Sequence, residues 1–181
     1  AVNDKLIEHY DKITQGGSVG LVITEHAYIS KEGKASPYQL GIEDDSRIEG
    51  FKKITDVIHK NGSKCICQIS HAGSNTTADV CGGKVYAPSI VANPRSNTVP
   101  DCELTQADID KIKSDFAAAA VRAKKAGYDG VEIHSAHGYL LNQFYSPITN
   151  KRTDLYSGEH LKGRTQLPRE VIKAVREAVG K

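Results

Sequence analysis

No segment of the 181-residue chain holds the roughly 18 to 20 consecutive apolar residues that a membrane-spanning helix needs, and its start carries no apolar signal-like stretch. The expectation is a soluble cytoplasmic protein with no membrane partner. Neither GxGxxG nor a Walker-type GxxxxGKS/T pattern occurs, which speaks against a classical dinucleotide or nucleoside-triphosphate domain. HxH and HExxH are absent too, so no ready-made hydrolytic metal motif is present. An excess of one charge is also missing: 24 Lys and Arg stand against 22 Asp and Glu, scattered rather than striped, for a formal net charge of +2. Neither a nucleic-acid partner nor an acidic tail is indicated.

Cysteine is sparse, with four residues. Cys65 and Cys67 alternate within an apolar strand pattern, where they share a face and read as small buried thiols rather than a mutual disulfide. Cys81 and Cys102 complete a set that could form an extracellular bridge pattern, but structural thiols are the expectation.

What is present is a repeated helix and strand order. Leu6, Ile7, Tyr10 and Ile13 give helical spacing over Asn3–Thr14, stopped by Gly16-Gly17. Val19–Thr24 (VGLVIT) reads as a strand buried on both faces, with Glu25, His26 and Tyr28 at its exit. Ser46 and Glu49 have capping-box spacing before an apolar stripe of Ile48, Phe51, Ile54, Val57 and Ile58. Lys64–Ile69 is the second strand, with Gln68 and His71 near its exit. The stretch from Gly73 to Leu104 exceeds the roughly 12 to 15 residues usual for a structureless connection, so a functional loop or a small hairpin is expected there. Thr105 and Asp108 open a third helix whose alanines allow close approach to a sheet. Val131–Ile133 is the third strand, and a last helix is expected with Pro168 in its first turn.

Such alternation predicts an α/β fold with a parallel sheet and right-handed crossovers, its site built from loops at the C-terminal strand ends. A closed eight-stranded barrel takes about 250 residues, so a barrel reading makes this chain a part of one. A small independent αβα domain is the other reading.

The stretch Gly127–Tyr145 (GYDGVEIHSAHGYLLNQFY) concentrates chemistry at a strand exit. His134 and His137 leave open three uses: a clamp on a carbonyl or anion, metal ligation with His71 or Glu25 as a third donor, or a structural role. Tyr139 reads as a proton donor or as a half-buried packing aromatic. Gln68 could present donor and acceptor groups to a heteroaromatic edge, or bond a loop to the sheet. Ala27 matters as a small residue that lets a flat ring approach. Arg152 and Asp154 read as a local loop pair.

Taken together and in order, GLVITEHAYIS, KCICQISHAG, YDGVEIHSAHGYLLNQFYSPITNKRTDLY and PREVIKAVREAVG, over about residues 5 to 179, resemble the Old Yellow Enzyme family of NAD(P)H-dependent flavin oxidoreductases. Ser157 and Lys162-Gly163 depart from its pattern, which has glycine and Glu-Asn there. The resemblance implies a partial (β/α)8 TIM barrel, residues 1–181, comprising approximately the second to fourth strands with their helices and lacking the first strand and the C-terminal half. It further implies FMN at the C-terminal mouth, with Ala27 beside the flavin, Gln68 at its pyrimidine edge and His134 also at the cofactor. His134 and His137 would hold the carbonyl or nitro oxygen of an activated alkene, and Tyr139 would donate a proton after NADH or NADPH has reduced the flavin. Because the second half normally supplies the phosphate-binding loops, the chain alone is expected to bind FMN weakly and to self-associate or need a complementary barrel fragment. The competing expectations are a non-catalytic assembly or oligomerisation module derived from a TIM barrel, and a metal-dependent barrel hydrolase.

Overall fold

The computed structural model describes residues 1–180, and Lys181 lies outside the described residues. In chain order the elements are α1 (Asp4–Thr14), β1 (Leu21–Tyr28), α2 (Ile48–Lys60), β2 (Lys64–Ser70), α3 (Ala78–Cys81), β3 (Tyr86–Ala87), β4 (Cys102–Glu103), α4 (Gln106–Lys125), β5 (Gly130–Ile133), α5 (Leu140–Tyr145) and α6 (Leu161–Val179). β1, β2 and β5 form a parallel sheet in that order, with Ile23, Ile66 and Gly130 in register across it. α2 and α4 make the two crossovers that parallel pairing requires.

Local chemistry sets the element boundaries. The Asn3 side chain accepts from the Leu6 amide at 3.0 Å and starts α1. Thr105 and Asp108 form both arms of a capping box at the start of α4, as their spacing predicts. Before α2 the cap lies elsewhere than expected: Asp44, not Ser46, accepts an amide (Ser46 N–H, 2.8 Å) and opens a 3-10 turn over Asp45–Arg47. At the end of α4, buried Thr55 of α2 donates its hydroxyl to the Ala126 carbonyl at 2.6 Å. Gly127 follows at φ +89°, and a Cβ there would lie 3.0 Å from Thr55 Oγ1, so glycine suits both the turn and the contact.

The core lies between the sheet and the helices. Val22, Cys65, Cys67 and Ile69 project from the strands toward Phe51, Ile54 and Ile58 of α2 and toward Ile109, Ile112 and Phe116 of α4. Ala119, Ala120 and Ala123 are fully buried, which fits a helix seated closely on β2 and β5. The opposite face of the sheet is open: Leu21 is 52% and Ile23 47% exposed. VGLVIT is therefore buried on one face only, with the alternation of a strand whose second face meets no helix.

Other expectations are corrected by the structure. β1 begins at Leu21 and continues through Tyr28, so Glu25, His26 and Ala27 belong to the strand, with Glu25 and His26 in a bulge between Thr24 and Ala27. The long connection after β2 holds a parallel pair, β3 with β4, rather than a hairpin. Pro168 lies inside α6, not in its first turn, because the ring of His160 caps that helix earlier by accepting from the Gly163 amide at 3.0 Å. All four cysteines are free thiols, and Arg152 pairs with Asp154 as read from sequence. Arg152 further binds the Pro88 and Leu104 carbonyls, locking the β3–β4 segment to the loop after α5.

Phe116 has no exposed surface and sits where α4 meets the sheet. Replacing it with alanine is expected to cost about 3 to 5 kcal/mol through lost burial and a residual cavity. Urea unfolding checks this: the midpoint should fall with the slope unchanged.

Candidate active site

Because the strands run parallel, their C-terminal ends share one side. There, on the open face, Gln68 and Glu132 are register partners, and Gln68 Nε2 donates to Glu132 Oε1. His134 follows two residues later. Its amide extends the ladder by bonding the Ile69 carbonyl at 2.9 Å, and alternation returns its side chain to the same face. The chain then reverses through His137 (φ +55°) and Gly138 (φ +73°), and Tyr139 comes back over His134 as the N-cap residue of α5. The His134 ring centroid lies 4.6 Å from that of Tyr139, 5.4 Å from His137 and 5.6 Å from His26, while His26 and Tyr139 are 5.3 Å apart. Left-handed backbone at a non-glycine residue is strained, and such strain concentrates at functional sites.

A buried amide holds the reversal. Gln143 Nε2 donates to the carbonyls of Gly138 (2.7 Å) and Ala72 (3.0 Å), and its Oε1 accepts from the Ser74 amide (3.2 Å). The exits of β2 and β5 are thereby fastened to each other. Asn93, from the long connection, adds a bond to the Gly138 carbonyl, and Asn142 accepts the Gly138 amide.

Hydrogen bonding decides the tautomers. The Ala35 amide donates to Gln39 Oε1 at 2.6 Å, which orients that amide so that Nε2 donates to His26 Nδ1 at 2.8 Å. A neutral His26 then carries its proton on Nε2. The Ala136 amide approaches His134 Nδ1 at 3.3 Å, giving the same tautomer. Burial, reinforced by the nearby His26 and His137, pushes the His134 pKa down to about 4, and burial with His137 lowers that of His26. Both rings are neutral N–H donors at physiological pH. Burial raises the Tyr139 hydroxyl pKa, with Arg95 opposing, so the phenol keeps its proton. Neutral donors aimed at one place can stabilise an oxygen on which negative charge develops, without first burying a cation.

His134, His137 and Tyr139 thus come together, and Gln68 lies at the same strand ends. Ala27 does not join them through its side chain: it is fully buried in the core opposite Ile69. The bulge reverses the parity of β1, so its neighbour His26 reaches the rings instead. Neither Glu25 nor His71 completes a metal site with His134 and His137 among the described residues. His71 is buried, with Nδ1 accepting from the Gly73 amide, and faces a separate cavity of about 290 Å³ shared with Glu32 and Lys111. His26, Gln39, Asn93 and Gln143 were not singled out as site residues from sequence. Only the polar Asn-Gln pair inside apolar LLNQF offered a local signal.

The NADH:flavin oxidoreductase / NADH oxidase family matches over residues 1–181. The chain belongs to this family. It is 43% identical over 169 residues to an NADPH dehydrogenase of Halalkalibacterium halodurans, an alignment covering 93% of this chain and 48% of that protein. Among solved structures, Old Yellow Enzyme from a Pichia species matches with a TM-score of 0.90 at 33% identity, covering 99% of this chain and 49% of that one. Morphinone reductase in complex with tetrahydroNAD gives 0.90 at 32% identity, covering 99% and 53%. The chain therefore spans about half the length of these relatives, and its fold is a partial (β/α)8 barrel. The flavin oxidoreductase family uses FMN, with NAD(P)H as electron donor.

His134 and the fully buried His71, whose pKa burial also pushes to about 4, give an acid dependence of stability. An unfolded histidine takes up its proton near the ordinary value of 6.5, whereas the folded rings do so only near 4. Stability should hold above that window and fall as pH drops through it. His134→Asn and His71→Asn should each flatten the slope in urea melts; an unchanged slope in both would contradict the assignment.

Proposed function

We propose that the protein acts as an NAD(P)H-dependent FMN oxidoreductase that reduces the activated C=C bond of an α,β-unsaturated carbonyl or related compound. This chain contributes the acceptor-binding and proton-donating part of the site. The observation that carries the reading is the neutral N–H donor His134 gathered with His137 and Tyr139 at one strand end. His134 and His137 bond the carbonyl or nitro oxygen of the substrate, and those bonds strengthen as charge grows on that oxygen. Tyr139 delivers a proton to the α-carbon. His26 stands behind His134 and adds to the burial that keeps it neutral.

The Gln68 amide fits a flavin: its Oε1 and second N–H are not taken by Glu132, and together they match the donor and acceptor alternation of a pyrimidine edge. His134 borders the same place. Ala27, its methyl in the core, can approach a flat ring only through its main chain. When bound, FMN supplies hydride to the β-carbon after reduction by NADH or NADPH. The tetrahydroNAD complex of morphinone reductase supports a nicotinamide donor. A soluble, cytoplasmic setting goes with this reading, and no helix among the described residues is long and apolar enough to cross a membrane.

β1 and β5 are open sheet edges, and Leu21 and Ile23 lie exposed on the inner face. Such edges and faces seek partners. We infer that the chain self-associates or pairs with a complementary barrel fragment, which also completes the FMN site.

Anaerobic reduction of added FMN by NADH and by NADPH, followed by an enone, tests this with and without a polypeptide carrying a homologue's remaining strands. Turnover should require that polypeptide. In the complemented enzyme, Tyr139→Phe should lower kcat by about 10²-fold or more, and His134→Ala by about 10² to 10³. Complemented chain that turns over no faster than free flavin would point instead to an assembly module, as would indifference to both substitutions. Sedimentation showing a well-folded monomer at micromolar concentration would overturn the association.

A further inference from the structure

The opposite ends of the same strands hold a second cluster that flavin chemistry does not use. Cys65 is the second residue of β2, Asp129 immediately precedes β5, and His59 lies in the last turn of α2. Cys65 Sγ is 3.4 Å from His59 Nε2 and 3.8 Å from Asp129 Oδ2, and those two atoms are 2.8 Å apart. We propose that His59, Cys65 and Asp129 form a divalent transition-metal site of the zinc class, with solvent as the fourth ligand, at the N-terminal face of the sheet.

The donor set and spacing argue for it. Thiolate, imidazole and carboxylate are zinc's usual ligands, and zinc–ligand bonds of about 2.0 to 2.3 Å put tetrahedral donors roughly 3.4 to 3.6 Å apart. The two distances from sulfur already stand close to that range. The nitrogen–oxygen pair, now hydrogen-bonded, needs to open by about half an ångström. A relay of thiol, imidazole and carboxylate would use both ring nitrogens, one for each partner. Here sulfur and carboxylate both converge on Nε2, which has one proton or one lone pair and cannot serve both in line; a cation between the three can.

The surroundings suit a metal as well. Lys64 Nζ donates to Asp129 Oδ1 at 2.8 Å, and the Cys65 amide donates to Oδ2 at 2.9 Å, so the carboxylate is oriented from outside. Cys65 lies beneath the surface while His59 and Asp129 are partly exposed, leaving a path of entry. A thiol binds metal as the thiolate, so binding must expel the Cys65 proton to solvent as the metal–sulfur bond forms. The metal would tie the α2–β2 turn to the α4–β5 turn.

Zn²⁺ titration of the full chain against a chromophoric chelator, with Co²⁺ as the spectroscopic probe, tests this. Expected are one submicromolar site per chain, a sulfur-to-cobalt charge-transfer band, and proton release on binding. Cys65→Ala should abolish that band. His59→Gln, at an exposed position that leaves the core intact, should weaken binding by on the order of 100-fold. His134→Ala should leave it unchanged. Cobalt bound without the sulfur band, affinity indifferent to His59→Gln, or binding lost with His134→Ala would each overturn the site.

Discussion

Parallel pairing of β1, β2 and β5 is the constraint from which the rest follows. Each strand must return to the same edge before it can pair, so α2 and α4 pack against one face, and every strand exit opens on one side. The polar groups of three separate segments are thereby delivered to one place. The ladder brings them near, but it does not set the final spacing. That falls to Gln143, whose amide spans the carbonyls of Ala72 and Gly138 and so fixes the β5 exit against the β2 exit. A side chain in the interior of a short helix thus governs where the rings of His134 and Tyr139 meet.

The electrostatics of the ring cluster rest on crowding. Four aromatic or imidazole rings share a space in which a positive charge on His134 or His26 is opposed by burial and by the neighbouring histidines. His134 and His26 consequently act as uncharged donors, and the Gln39 amide selects which nitrogen of His26 carries the proton. Neutrality here comes first from burial and then from the crowding of neighbouring imidazoles.

Features that depend on a few consecutive residues were readable in the sequence. The three strands, the Thr105–Asp108 cap, the Arg152–Asp154 pair and the gathering of His134, His137 and Tyr139 all follow from local spacing, and the ordered motifs pointed to the family. Features set by distant partners were not readable. The start of α6 depends on a histidine ring acting as cap, a weak signal beside Pro168. The open inner face of β1 could not be told from a doubly buried strand, because Leu21 and Ile23 are apolar whichever side they face. Gln143 could not be identified as the tie, since it joins the turn just before it, at Gly138, to a loop at Ala72 and Ser74 far away in sequence.

The irregularity in β1 has a consequence for how this architecture can change. Between Thr24 and Ala27, three steps along β1 match two along β2, so that a single added position decides which of two adjacent side chains looks toward the rings. Losing Glu25 would straighten the strand with Ala27 still opposite Ile69 and His26 still outward, whereas losing His26 would put Glu25 in the outward position, exchanging an imidazole for a carboxylate with no codon substituted. Length variation in this strand is therefore a more abrupt route to a different pocket lining than point replacement at either position.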